Sequence, residues 1–281
     1  MQKQFTHKNI FFNNKIINFL THCFCYIYCE NKISQYAYFQ SKKTNSAPQT
    51  MNNKALNNIN ILTCHSDYWN NILTNSGVLS YSEKEKSGKY KVDDDRKRFC
   101  VARIIARSIA SDYLGIESSE IPIEINSLGK PYIQNTNDFF FNISHSGNWV
   151  AIAFAPFNIG VDVQQTDANK KININNVAKH SFHQDEIDYL NKAINNNNKE
   201  QKFYEIWSIK EAVIKATGKQ FFGCPQKFSV LKRNQTKNDS VTIIDDITYY
   251  YNYIDSGYVL SVATCQNIDN EIIIQDFKGF S

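Results

Sequence analysis

The run Phe141–Val163, FNISHSGNWVAIAFAPFNIGVDV, constrains the fold of this chain more than any other stretch. Ile159, Val161 and Val163 alternate there with Gly160, Asp162 and Gln164, the period-two pattern of a half-buried strand. The alternation predicts Asp162 and Gln164 side by side on the polar, outward face. Upstream lies a second strand with a Ser-His-Ser turn. Two strands, a turn and an oriented carboxylate are thus committed within one short span.

Composition narrows the partners. The chain has 281 residues, 42% of them hydrophobic, enough to bury a core as one large or two modest domains. Its net charge of +4 is uneven: residues 1–50 hold six lysines and one acid, leaving 25 basic and 26 acidic side chains for residues 51–281. A body this close to neutral argues against a nucleic-acid binder. The apolar patch Ile16–Cys29 is interrupted by Asn18, Thr21 and His22 and falls short of the ~20 residues of a membrane span. Neither a clear signal-peptide cleavage site nor the arginines of a mitochondrial presequence accompany it. We expect residues 1–50 to be a poorly ordered extension, with Met51 as the working start. The seven cysteines include no CxxC pair and suit a reducing cytosol.

Along the body, Ile59–Trp69 reads as a first strand and its exit, and Ser82–Lys91 as a charged, mobile run. A long helix starts at Asp93, striped by Val101, Ile104, Ile105 and Ile109 and capped at Gly115. Leu128–Tyr132 is a turn. After Val163 a loop leads to a helix over Gln184–Ala193, an Asn-rich linker (Asn195–Asn198) and a helix over Glu200–Thr217. Strands are predicted at Phe228–Val230, Thr242–Ile244, Tyr249–Tyr253, Tyr258–Ala263 and Glu271–Gln275. Strands and helices recur in similar order, so we expect an α+β fold of two similar halves, residues 51–156 and 157–281. Each half is a small antiparallel sheet packed with a long helix, related by a pseudo-twofold, with the active site between them.

The last long helix, YEIWSIKEAVIKATGK, has one apolar face (Ile206, Ile209, Val213, Ala216) and sets Tyr204, Trp207, Glu211 and Lys215 opposite it. Glu211 and Lys215 stand in the favourable i,i+4 order of a surface ion pair, worth ~0.3–0.5 kcal/mol. Trp207 beside them asks for cover, which suits a cleft in which Glu holds a metal and Lys a phosphate. Asp162 would complete a hard-cation site shared with a pyrophosphate. His145, between Ser144 and Ser146, reads either as a hydrogen-bonded structural residue or as part of a phosphate-facing turn.

Four motifs in order, GKPY, FNISHSGNWVAIAF, IGVDV and FYEIWSIKEAVIKATGK, resemble the 4'-phosphopantetheinyl transferases of the longer, two-half type, over about Ile59–Asp276. The resemblance implies a Mg2+-dependent holo-carrier-protein synthase. Such an enzyme moves the phosphopantetheine arm of coenzyme A onto a serine of an apo acyl or peptidyl carrier protein and releases adenosine 3',5'-bisphosphate. It implies Asp162 and Glu211 as metal ligands, with Gln164, where many relatives carry a glutamate, as a neutral third. Lys215 and Lys210 would meet the pyrophosphate. Ser144 and His145 would bind the CoA phosphates, Lys130, Pro131 and Arg98 the adenine side, and Lys84 and Lys86 the 3'-phosphate. Glu186 matches the proposed base for the carrier serine, although an acid in a helix's first turn is also favoured by the macrodipole. A cytoplasmic monomer that binds neither nucleic acid nor membrane is expected. The alternatives are a non-catalytic carrier- or CoA-binding module of the same fold and a Mg2+-dependent nuclease. The nuclease is disfavoured by the helical Glu–Lys spacing and the neutral body.

Overall fold

The computed structural model describes residues 58–166, 172–218, 225–231, 235–238, 241–244, 247–266 and 272–279. The expected extension over residues 1–50 lies outside them. In chain order the elements are β1 (Ile59–His65), α1 (Trp69–Leu73), α2 (Tyr81–Gly88), α3 (Asp93–Leu114), β2 (Ile123–Ile125), β3 (Pro131–Ile133), β4 (Phe140–Ser146), β5 (Trp149–Ala155) and β6 (Ile159–Gln165). They continue with α4 (Ile174–Ser181), α5 (Gln184–Asn191), α6 (Asn196–Thr217), β7 (Gln235–Asn238), β8 (Val241–Ile244), β9 (Ile247–Asp255), β10 (Tyr258–Thr264) and β11 (Ile272–Asp276).

The architecture is α+β. One sheet has the order β11-β1-β5-β4, the other β6-β10-β9-β8-β7, and β2-β3 is a separate hairpin. Neighbours pair antiparallel except β1 and β11, which run parallel, so the last described strand returns to the first sheet. Helix α3 packs Val101, Ile104 and Ile105 with Val150 and Ile152 of the first sheet. Helix α6 packs Ile209, Val213 and Ala216 with Val259 and Ala263 of the second. A third cluster joins Ile59, Ile61, Ala151 and Ala153 to Ile159, Val161, Val163, Leu260 and Val262. The layers therefore run helix, sheet, sheet, helix, with an apolar seam between the sheets.

That layering corrects the expectation of an outward Asp162. The alternation sorts the faces of β6 as read, but both are covered: Val161 faces the seam, and α6 lies across the face of Gly160 and Asp162. Asp162 is 2% exposed. Trp207 is corrected too. It is buried in the second core, stacked on Phe203 at 5.9 Å between ring centres, and lines no cleft.

Five element expectations also change. Ser144, His145 and Ser146 end strand β4 rather than form a turn, which falls at Gly147 and Asn148 instead. Ser82–Lys91 is largely helical because Ser80 and Glu83 form a reciprocal capping box. Asn195–Asn198 is the cap and first turn of α6, the Asn195 side chain accepting from the Asn198 amide at 2.8 Å. A helix, α4, stands where a plain loop was expected, capped by Asn173. Phe228–Val230 is not a strand. Its backbone bonds to side chains instead: the Phe228 carbonyl accepts from Lys210, the Val230 amide donates to Glu186, and the Val230 carbonyl accepts from Tyr249.

Candidate functional site

Two close approaches bring α6 onto β6. A Cβ on Gly160 would lie 2.0 Å from the Ala212 carbonyl oxygen and 2.5 Å from the Ala216 amide, so only glycine lets helix and strand touch there. Lys130, at the end of the turn before β3, pins the same point, its Nζ donating to the carbonyls of Ile159 (3.1 Å) and Lys215 (2.9 Å). Burial, and then the Lys215 charge, pull the Lys130 pKa down to about 8.

The consequence is a polar cluster between the halves. Lys215 Nζ donates to Asp162 Oδ1 (2.7 Å), the Val161 carbonyl (3.0 Å) and Ser144 Oγ (3.1 Å), which uses all three ammonium protons. Ser144 Oγ in turn donates to Asp162 Oδ1 at 3.0 Å. Gln164 Nε2 donates to Asp162 Oδ2 at 3.0 Å. Glu211 is 8% exposed, and its pKa rises to about 8, first through burial and then through the Asp162 charge, with Lys215 opposing. With both carboxylates ionised the cluster holds two negative charges against one positive, a deficit that a cation would close.

Beside it the β4–β5 turn is gripped from several elements. Arg98 Nη1 donates to the Gly147 carbonyl at 2.6 Å, while its other nitrogen pairs with Asp95. Gly147 has φ 52°, and a Cβ there would lie 2.2 Å from the Tyr258 hydroxyl, which accepts from the Asn148 amide. The His145 pKa falls to about 4, through burial first and then Arg98 and Lys215, so the ring is neutral at neutral pH.

The structure thus gathers Asp162, Glu211, Lys215, Ser144, Gln164 and Lys130, with His145 and Arg98 alongside. Pro131 opens β3 next to Lys130. Lys84 and Lys86 are on α2. Lys84 reaches the Gly77 carbonyl at 3.4 Å, and Lys86 lies over the Phe99 ring at 5.5 Å, its pKa lowered by burial and by Arg103. Glu83 fastens α2 to α3, one carboxylate oxygen accepting from Arg107 Nε at 2.8 Å.

Glu186 and Lys210 form a separate pair at 3.0 Å inside the C-terminal core. Glu186 is 0% exposed. Its Oε1 accepts from the Val230 amide and its Oε2 from the His183 amide, both at 2.8 Å. Lys210 also donates to the Phe228 carbonyl at 2.8 Å. The expectation of Glu186 as a base therefore finds no exposed carboxylate oxygen, and Lys210 is committed to the protein itself. Asn142, Gly160 and Tyr258 were not singled out from sequence. The alternation Asn142-x-Ser144-x-Ser146 and the glycine inside an apolar strand were the available signals.

A metal fits the donor set. Asp162, Glu211 and Gln164 offer hard oxygens, and Mg2+ is commonly held by one or two carboxylates plus substrate phosphates. No group of three His, Cys, Asp or Glu side chains that could hold a metal occurs among the described residues. No helix among them is long and apolar enough to cross a membrane.

Comparison with known sequences agrees with the geometry. Residues 158–263 match the family described as the 4'-phosphopantetheinyl transferase superfamily, and residues 64–157 the one described as 4'-phosphopantetheinyl transferase, N-terminal. The 4'-phosphopantetheinyl transferase Sfp of Bacillus subtilis (strain 168) is 32% identical over 188 residues, spanning 66% of this chain and 81% of the relative. The gsp protein of Aneurinibacillus migulanus, another 4'-phosphopantetheinyl transferase, is 29% identical over 195 residues, spanning 67% and 77%. The L-aminoadipate-semialdehyde dehydrogenase-phosphopantetheinyl transferase of Xenopus laevis is 28% identical over 145 residues, 48% of each chain. With an α+β fold of two sheets, a carboxylate–lysine cluster at their junction and matches that abut at residues 157 and 158, this chain belongs to the 4'-phosphopantetheinyl transferase superfamily, in its two-half, Sfp-like type.

Proposed function

We propose that this protein transfers the 4'-phosphopantetheine arm of coenzyme A to a serine hydroxyl of an apo acyl or peptidyl carrier protein, with Mg2+, releasing adenosine 3',5'-bisphosphate. Beyond family membership, one observation carries the reading. Asp162 and Glu211 share a buried site with a single ammonium, Lys215, so that ionising both carboxylates there would call for a further cation. Magnesium, when bound, supplies neutralisation of the pyrophosphate. Asp162 and Glu211 would hold it, with the Gln164 amide oxygen as a neutral donor.

Lys215 would exchange one of its three protein hydrogen bonds for a phosphate oxygen, absorbing charge as the serine oxygen attacks the β-phosphorus. Neutral His145 would offer the 3'-phosphate a hydrogen bond, with positive charge supplied by Arg98, Lys84 and Lys86. Lys130 and Pro131 would line the adenine side, Lys130 also holding the end of α6 in place. Glu186 and Lys210 we assign to positioning. A cytoplasmic monomer is part of the proposal. The cytoplasmic part is supported by Cys64 and Cys100, free, buried thiols that suit a reducing compartment.

The test is intact-protein mass spectrometry of an apo carrier incubated with this protein, CoA and Mg2+. Phosphopantetheine added to the carrier serine is the expected result. No mass gain on several carriers, with CoA intact, would sink the proposal and favour a non-catalytic binding module.

A further inference from the structure

Strand β4 edges the first sheet and β6 edges the second, and each pairs by backbone only on its other side, with β5 and β10 respectively. The inner edge of β6 is nevertheless buried, with Val161 and Val163 at 0% exposure, and a buried amide without an acceptor is costly. Side chains from β4 meet these amides in turn. The Val161 amide donates to Asn142 Oδ1 at 2.9 Å, that of Val163 to Ser144 Oγ at 3.2 Å, and that of Gln165 to Ser146 Oγ at 3.0 Å. The sequence offset is 19 residues at every rung. Alternate residues of one strand thus serve alternate residues of the other, as two strands of equal rise running the same way require.

We infer that Asn142, Ser144 and Ser146 form a side-chain ladder that replaces backbone pairing between the two sheets and sets their register. We infer further that Asn142 is a positioning residue for Lys215 and Asp162. The middle rung, Ser144, is itself bonded to both. The Asn142 rung holds Val161, whose carbonyl accepts one of the three Lys215 protons, yet Asn142 is bonded to neither Lys215 nor Asp162. Because β6 is held by β10 and α6, a slip of one residue between β4 and β6 would leave Asp162 in place but carry Ser144 away from Asp162 and Lys215. Asn142 is 3% exposed and is not itself among the expected CoA contacts, so its influence on transfer would run through the register.

The activity readout rests on the transferase proposal, so a structural readout accompanies it. The full-length protein, Asn142→Leu and Asn142→Asp are compared with CoA, Mg2+ and an apo carrier, together with amide hydrogen exchange of the segment 159–166. Leucine removes the acceptor at similar volume, whereas aspartate keeps it. We expect Asn142→Leu to lower kcat by about ten- to a hundredfold, the cost of a small misplacement of reacting groups. Its KM for CoA should change less than kcat, since the contacts proposed for Arg98, Lys84 and Lys86 are untouched. Exchange at 159–166 should accelerate, and Asn142→Asp should recover most of both losses. An Asn142→Leu enzyme with normal kcat, or an Asn142→Asp enzyme as slow as it, overturns the inference. Should Asn142→Leu fail to fold, Ser146→Ala against Ser146→Thr repeats the comparison: loss with alanine and recovery with threonine support the ladder, and equal rates refute it. If the unmodified protein transfers nothing, the transferase proposal fails by itself, and hydrogen exchange then decides the ladder.

Discussion

Helix α6 supplies the lysines of two lysine–carboxylate pairs, five positions apart, and they differ in one respect that matters. Lys210 and Glu186 form a closed unit: one charge against one, with both carboxylate oxygens further served by backbone amides. Lys215 and Asp162 are equally well bonded to each other, but Glu211 stands beside them and leaves the group negative when ionised. The first pair is complete and ties α5, α6 and the segment around Phe228 together. The second, in our proposal, takes up a cation when Glu211 ionises. The same two residue types on one helix therefore occur once as a self-contained pair and once beside a third titratable group, Glu211.

The largest effect that would separate the pairs is on turnover. Glu211→Ala should lower transfer on the order of a thousandfold, the loss of several kcal/mol of charge stabilisation, while leaving a folded protein. Near-normal turnover measured on carrier by mass spectrometry would remove Glu211 from the site. Lys210→Met should act on stability instead. It leaves the Glu186 charge buried without its counter-ion, at a cost of about 3–5 kcal/mol in denaturant unfolding. Adding Glu186→Gln to that variant should recover part of the loss, and both variants, where folded, should still transfer. A folded Lys210→Met as inactive as Glu211→Ala would erase the distinction between the pairs.

A smaller effect lies in pH. The Glu211 pKa is raised in the fold, so between the ordinary carboxyl range and about 8 the native state holds a proton that the unfolded state has released. Stability contributed by this group therefore falls as pH rises through that window. Without divalent metal, Glu211→Gln should melt higher than the parent at pH 8 and lose that advantage near pH 4. An advantage independent of pH would mean that Glu211 does not titrate as described. The smallest expected shift is ligand stabilisation. Mg2+ at about a hundred times its dissociation constant should stabilise the parent by about 2.7 kcal/mol and leave Glu211→Gln nearly unmoved. An equal shift in both would place the metal elsewhere.

Much of the site was legible because its parts are local patterns. The alternation in IGVDV separates Asp162 from its apolar neighbours, and the i,i+4 step puts Glu211 and Lys215 on one side of α6. The helix that begins at Asp93 ends at Gly115, whose φ of 66° is the left-handed cap its sequence position suggested. The short helix α2 was also legible in principle, from Ser80 and Glu83 three apart, but the density of charge around it reads as a loop. Other features were hidden because they depend on what covers a face. Trp207 lies opposite the apolar stripe of its helix, yet Phe182 and Phe203 bury it, so a rule of one dry face fails for a helix enclosed all round.

The sequence by itself determined the strand faces, the two long helices and the residue types from which a phosphate- and metal-directed site could be built, since these follow from periods of 2 and 3.6 and from side-chain chemistry. Only the tertiary structure decided which partners each carboxylate has. Glu186 and Asp162 are both acids with a lysine partner on α6. Backbone amides of His183 and Val230 close off the first, whereas the second lies where two sheet edges meet through the side chains of Asn142, Ser144 and Ser146. Hydrogen-bond saturation and net charge in a buried space depend on partners distant in sequence, and no local pattern carries them.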